Sequence, residues 1–330
     1  MKNGIVRFAT VGTSLITKHF LEAAKTVKSL KHTAVFSRDL EKGRAFALET
    51  GCEKVYNDIE MLAASDEIDA VYIASPNVFH SAQSRIFLKN GKHVLAEKPI
   101  ATSLSEYLET KRIADENGAV YMEAMMSYNT PWHKDVANAV KQIGKISVAR
   151  IDFCQRSSRY DAFMKGIPQN IFDMSLHAGT LMDLGVYCVY AAVDLLGEPK
   201  KITADASFFQ NGCDASGCAI FDYGDYKAVL TYSKTAQSAL GSEIAGDKGT
   251  LKISSISQFV GVTLCKDNSE KIIVPMLDRT AVMSGEAARF ADFALGKNAK
   301  EYRECDAVCQ KVLRCMDKIK KSADIIYGVK

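Results

Sequence analysis

Along the first third of the chain, short apolar runs alternate with longer stretches whose apolar positions recur at helical spacing. The runs Ile5–Val11, Thr33–Phe36, Ala70–Ala74, His93–Ala96 and Val120–Glu123 predict strands. The stretches Thr17–Ser29, Asp39–Glu49, Val78–Asn90 and Leu104–Asn117 predict helices. Gly91 and Gly118 follow the last two, where a glycine ends a helix. Apolar strands separated by helices of about 10–15 residues are βαβ units, which bury a parallel sheet between helices. The pattern predicts a doubly wound α/β domain over residues 1–123.

Beyond residue 123 the rhythm changes. A helix over Trp132–Gln142 leads to a strand over Lys145–Phe153 and a polar stretch from Gln155 to Met174. A strongly apolar helix, Thr180–Leu196, is stopped by Gly197 and Pro199. Turns then separate β-rich segments at Lys201–Gln210, Cys218–Phe221, Lys227–Tyr232, Gly249–Ile253, Gln258–Cys265 and Lys271–Val274. Successive strands without helices between them imply an antiparallel sheet. Helices return at Ala287–Leu295 and Asp306–Ala323. Residues 124–330 are therefore expected to form an α+β domain with a large, mostly antiparallel open sheet.

Length and charge add exclusions. A chain of 330 residues suits two domains better than one core. The 42 basic and 39 acidic residues are spread along the chain, with no basic block among aromatics, so nucleic acid is not an expected partner. The start Met1-Lys2-Asn3-Gly4 has no signal-peptide core, and no apolar run approaches the roughly 20 residues of a membrane helix. Both point to the cytoplasm, with no membrane partner. Nine cysteines, an odd number, fit free thiols; neither Cys213 with Cys218 nor Cys305 with Cys309 has CxxC spacing. No metal site is expected.

Candidate chemistry begins after the first strand, at Gly12-Thr13-Ser14-Leu15-Ile16-Thr17. A dinucleotide fingerprint places glycines at 12, 14 and 17; here Gly12 alone is present, with small Ser14 and Thr17. Backbone N–H groups at the following helix start can still bind phosphate. At the tip of the second strand Ser37 and Arg38 stand where an NAD site puts a carboxylate for the ribose hydroxyls. A guanidinium fork suits a 2′-phosphate, so NADP is favoured over NAD. Asp39 has the simpler reading of a helix cap.

The fourth strand ends Ala74-Ser75-Pro76-Asn77, followed by His80, and the fifth ends Ala96-Glu97-Lys98-Pro99. With the eroded glycine loop, this pair resembles the glucose–fructose oxidoreductase and inositol dehydrogenase family, Gfo/Idh/MocA. The resemblance continues at Asp183-Leu184-Gly185-Val186-Tyr187 and at Gly246–Thr250, and so spans essentially the whole chain. A Tyr at 187 is similar to the branch of dimeric dihydrodiol dehydrogenases and xylose dehydrogenases, which mostly prefer NADP. Departures are Ser14, Thr17, the run His177-Ala178-Gly179-Thr180, and Tyr128 where many relatives carry Arg.

The resemblance implies a cofactor site of Gly12, Thr13, Ser14, Leu15, Ile16, Ser37, Arg38, Ser75, Pro76, Asn77, His80, Glu97 and Lys98. It implies Lys98, Asp183 and Tyr187 as the catalytic set and a homodimer or homotetramer through the open sheet. Lys98 lies at the carboxyl end of a parallel strand, the edge at which doubly wound sheets bind ligands. Asp183 and Tyr187 are four apart, hence on one helix face, with Tyr187 as general acid/base and Asp183 orienting the substrate hydroxyl or Lys98. The loop Arg156–Tyr160 and Asn170 are expected to border the substrate, with His177 at the rim. Substrate is expected between the two domains. The activity implied is hydride transfer between NADP(H) and a sugar, polyol or dihydrodiol. Two other readings stay open: a cofactor-binding sensor without turnover, and a redox-neutral hydrolase or dehydratase that recycles its cofactor.

Overall fold

The computed structural model describes residues 4–327; Met1–Asn3, part of the segment read for a signal peptide, lie outside the described residues. The elements run β1 Val6–Val11, α1 Leu15–Ala24, β2 Leu30–Phe36, α2 Leu40–Thr50, β3 Lys54–Tyr56, α3 Ile59–Ala64 and β4 Ala70–Ile73. There follow α4 Asn77–Lys89, β5 His93–Glu97, α5 Leu104–Glu116, β6 Tyr121–Ala124, α6 Met126–Asn129, α7 His133–Gln142, β7 Ile146–Cys154 and α8 Tyr160–Met164. A π-helical turn, Leu181–Gly185, opens α9 Val186–Leu196. Last come β8 Lys201–Phe208, β9 Asp214–Asp222, β10 Lys227–Ser233, β11 Ser242–Gly246, β12 Gly249–Ser255, β13 Val260–Lys266, β14 Ser269–Val274, α10 Arg279–Ala294 and α11 Ala299–Ser322.

Two compact units result, Met1–Met125 with Asp278–Ala307, and Met126–Leu277 with Val308–Lys330. The boundary read at 123/124 falls within two residues of the first junction, but the chain returns to the first unit at Asp278. In that unit six strands form a parallel sheet in the order β3-β2-β1-β4-β5-β6. Strand order reverses between β1 and β4, which makes the crevice beyond their carboxyl ends the ligand-binding place of such a sheet. The central strands are apolar on both faces: β4 Ala70–Ile73 is buried throughout, as a sheet with helices on both sides requires. Helix α10 packs on α1 and completes one helical layer.

The second unit carries an eight-stranded sheet in the order β14-β13-β12-β11-β7-β10-β9-β8. All neighbours are antiparallel except β7 and β10. One face is packed and one is open, so side chains alternate: in β10, Ala228, Leu230 and Tyr232 are buried, while Lys227 and Val229 are exposed. Buried on its packed side is α9, with every residue from Val186 to Val193 inside. Contrary to the sequence reading, the helical stretch Met174–Leu196 is long and apolar enough to cross a membrane, but 78% of its apolar window is buried within the protein. That is the composition of a core helix.

Four of the differences from expectation are at β3, α3, β11 and α11. Strand β3 and helix α3 are three and six residues long, too short to show a period; α3 is started by Asp58, whose side chain accepts from the N–H groups of Glu60 and Met61. Strand β11, Ser242–Gly246, lies in the stretch between Tyr232 and Gly249, where no strand is expected. Helix α11 starts seven residues ahead of Asp306, through a charged segment fixed by Tyr302, whose ring meets Phe293 and whose hydroxyl accepts from Tyr121 N–H at 3.0 Å.

Candidate active site

In the first unit the cofactor-side residues gather at the carboxyl ends of β1, β2, β4 and β5. Gly12 has φ +102°, and a Cβ there would stand 2.7 Å from the Ala74 carbonyl oxygen. Only glycine lets β1 turn into α1 against the tip of β4. Ser14 occupies the N-cap of α1 but makes no side-chain cap bond; its hydroxyl meets Thr17 Oγ1 at 3.2 Å. Thr17 is fully buried, so it does the helix-packing job of the missing third glycine. Leu15 stands 68% exposed beside this loop. A close backbone turn followed by a helix start fits the pyrophosphate of a dinucleotide.

At the tip of β2, Arg38 is exposed with its guanidinium 5.9 Å from the centre of the Phe79 ring, while Ser37 N–H bonds to the Tyr56 carbonyl. Asp39 caps α2 by accepting from Lys42 N–H at 3.1 Å, as its simpler reading requires. At β4, Ser75 Oγ meets Gln83 Oε1 at 2.7 Å and Pro76 caps α4, whose first residue is Asn77. The buried His80 ring lies between two carbonyls, Nδ1 to Pro99 at 2.9 Å and Nε2 to Ser75 at 2.6 Å. Burial pushes its pKa down against the pull of both carbonyls. His80 therefore straps the tips of β4 and β5 together.

Lys98 is half-buried, and the Lys98–Pro99 peptide is cis. Its backbone N–H bonds to the buried Glu97 carboxylate, which also accepts from Tyr72 O–H at 2.5 Å. Burial pushes the Glu97 pKa up. Glu97 thus serves inside β5, supporting Lys98. Beneath it Glu123 accepts from Ile100 N–H at 2.9 Å, and Glu286 of α10 is fully buried with neither carboxylate oxygen hydrogen-bonded.

Burial, then repulsion from Glu97 and Glu123, pushes the Glu286 carboxyl well above the glutamate range. A raised folded pKa means that the folded state keeps a proton that the unfolded chain releases. Its stabilisation is present below the ordinary value of 4.5 and is lost as pH rises through the folded pKa. Glu286→Gln, neutral in both states, removes this dependence. Its stability relative to the natural protein is expected to rise by about 1–3 kcal/mol between pH 4.5 and pH 8, read from thermal midpoints at each pH. A pH-independent difference would contradict a proton held on Glu286.

In the second unit Asp183 lies within the π turn and Tyr187 in the first turn of α9. π turns widen a helix where a side chain needs placing. Asp214 anchors that turn: its buried carboxylate accepts from Leu181 N–H at 2.6 Å, and Thr180 Oγ1 donates to the Asp214 and Ala215 carbonyls. Burial pushes the Asp214 pKa up. The Tyr187 ring is buried, edge-on to Phe153 at 5.5 Å. The Asp183 side chain is 41% exposed and pairs with Lys234 Nζ at 3.0 Å. Asp194, on a later turn of the helix, instead meets His133 at 2.7 Å.

The expected rim residues are more occupied than their sequence suggested. Arg156 pairs with Asp161 at 2.5 Å and lies over the Tyr160 ring, and Arg159 donates to Gln169. Asn170 begins a 3-10 turn and is exposed. His177 adopts φ +52° and stacks on Tyr327. Tyr128 packs against His133 and Tyr190. Lys234, Asp214 and Glu286 are the site-region groups that sequence reasoning missed. All nine cysteines are free thiols, and no metal-binding group of His, Cys, Asp or Glu occurs among the described residues.

The chain belongs to the Gfo/Idh/MocA family and is a nicotinamide-dependent oxidoreductase. Residues 6–125 match the family's NAD-binding Rossmann domain and residues 137–252 its C-terminal domain. Over 325 residues the chain is 37% identical to scyllo-inositol 2-dehydrogenase (NADP(+)) IolU of Bacillus subtilis (strain 168), covering 98% of both chains. It is 29% identical over 278 residues to trans-1,2-dihydrobenzene-1,2-diol dehydrogenase of Xenopus laevis, covering 82% and 81%. The fold is shared with a 3-ketoreductase from Actinomadura kijaniata solved with NADP and TDP-benzene, with TM-score 0.83 and 23% identity over 97% and 98% of the chains.

Proposed function

We propose that the protein interconverts a secondary alcohol and a ketone on a cyclic polyol, sugar or dihydrodiol, using NADP(H). The observation that carries the cofactor choice is Arg38, an exposed guanidinium held near the Phe79 ring, next to Ser37 at the position where an NAD site puts a carboxylate. It would hold the 2′-phosphate with Ser37, while Gly12 to Ile16 hold the pyrophosphate and Ser75, Pro76, Asn77, His80 and Lys98 border the nicotinamide. The nicotinamide, when bound, supplies or accepts the hydride. Tyr187 moves the proton of the reacting oxygen, Lys98 brings positive charge to that oxygen, and Asp183 accepts a hydrogen bond from a substrate hydroxyl. The substrate class follows from two relatives: an inositol and a trans-diol both carry adjacent hydroxyls on a six-membered ring.

Fluorescence titration of the purified protein with NADPH and NADH tests the cofactor choice. NADPH is expected to bind at least about 10-fold more tightly, a difference of about 1.4 kcal/mol. Arg38→Ala should erase that preference and leave NADH binding unchanged. Tighter NADH binding would refute the assignment to Arg38.

Two further properties belong to this reading. The open face of the eight-stranded sheet carries one cross-strand row, Ile220, Val229, Arg150, Glu243, Lys252, Thr263 and Ile272, beside a groove of about 730 Å³. Its apolar members are exposed, and a homodimer or homotetramer would cover them. The nine free thiols suit the reducing cytoplasm.

A further inference from the structure

A lysine is rarely buried, because removing an ammonium from water costs several kcal/mol unless partners replace the water. Lys234, just past the end of β10, is 2% exposed. Its ammonium meets Asp183 Oδ2 at 3.0 Å, donates to the Ile171 carbonyl at 3.0 Å, and lies 5.4 Å from the centre of the Phe172 ring. Its backbone is fixed as well: N–H bonds to the Ala215 carbonyl, and its carbonyl accepts from Ser157 N–H. One buried cation therefore ties the π turn carrying Asp183 to the 3-10 turn that starts at Asn170.

We propose that Lys234 is the positioning residue that keeps Asp183 an ionised, oriented acceptor for a substrate hydroxyl and sets its spacing from the Asn170 turn. This role rests on the function proposed for Asp183. A carboxylate accepts hydrogen bonds at both oxygens, whereas the protonated acid gives up part of that capacity to a donor O–H. Lys234 also acts electrostatically on the buried Asp214 and on the thiol of Cys213, just ahead of β9. Without the ammonium, Asp183 would lose the positive charge that stands 3.0 Å from its Oδ2. Loss of Lys234 therefore favours proton uptake by Asp183.

Carboxyl carbon NMR of the full-length protein labelled at aspartate reads this directly, with the Asp183 resonance assigned by its loss in Asp183→Asn. Lys234→Met and Lys234→Gln are compared with the natural protein; the glutamine keeps an N–H donor for Ile171 without the charge. The expected result is that Asp183 titrates at higher pH in both variants. With scyllo-inositol as probe, kcat/KM should fall about 10- to 100-fold, and its acid limb should move up in pH. Lys234→Met placed in Asp183→Asn should add no further loss, and that neutral pair keeps a folded comparison available. An Asp183 titration unchanged in both Lys234 variants overturns the proposal, as does a rate loss uniform across pH. Full activity of Asp183→Asn would instead refute the function assigned to Asp183, leaving the electrostatic pairing intact.

Discussion

Tyr187→Phe is expected to lower turnover by about 100-fold or more, and Lys98→Met to do the same, the scale on which a positioned acid or base acts. Tyr187 Oη is the only atom the first substitution removes, and the ring remains edge-on to Phe153 in the core of the second unit. The fold should therefore persist, with an unchanged thermal midpoint. Lys98 sits half-buried after β5, its backbone held by Glu97 and its neighbouring Pro99 carbonyl by His80, so methionine keeps the stem and loses the charge and the ammonium's N–H donors. NADPH affinity, measured by fluorescence, separates chemistry from binding. The double variant should lose less than the product of the single losses if both groups serve one proton transfer. Full activity in both single variants would remove these residues from the mechanism.

Gly12→Val is expected to weaken NADPH binding by about 10-fold or more, or about 1.4 kcal/mol. Two independent costs combine: a branched side chain at φ +102°, and a Cβ 2.7 Å from the Ala74 carbonyl oxygen. Relief requires β1 and β4 to part at the crevice where the pyrophosphate would lie. Ser14→Ala provides the contrast, since its hydroxyl reaches only Thr17 and caps nothing; it should leave binding unchanged. Equal NADPH affinity in Gly12→Val and the natural protein would show that the β1–α1 turn does not carry the phosphates.

Much of this architecture was legible because its signals are local. Period-2 and period-3.6 patterns, with Gly91 and Gly118 in left-handed conformation after α4 and α5, place β1, β4, β5, β6, α2, α4 and α5 within one residue at each end, whereas α1 stops five residues earlier than expected and β2 starts three earlier. Gly12 and Arg38 were nameable because each sits at a strand end, and Lys98, Asp183 and Tyr187 because the family resemblance implies them. Other features depend on contacts between distant segments. Nothing in the sequence around Lys234 distinguishes it from a solvated lysine, and its partner Asp183 lies on a different element. Glu286 fell just outside the helix read from Ala287, so its burial was hidden. The return of Asp278–Ala307 to the first unit leaves no mark in composition, because α10 shows the same apolar stripe whichever sheet it covers. The eroded glycine loop is a weak signal by glycine count alone, although Thr17 is small enough to pack fully buried.

The central claim is net oxidation or reduction of a ring alcohol by Tyr187 and Lys98 with NADP(H). Absorbance of the reduced nicotinamide, followed during incubation with inositols, sugars and trans-diols, tests it most directly. The expected result is stoichiometric cofactor turnover with at least one cyclic polyol or diol, lost in Tyr187→Phe. Product formed with no net change in cofactor, or tight NADPH binding with no turnover across the panel, would contradict it.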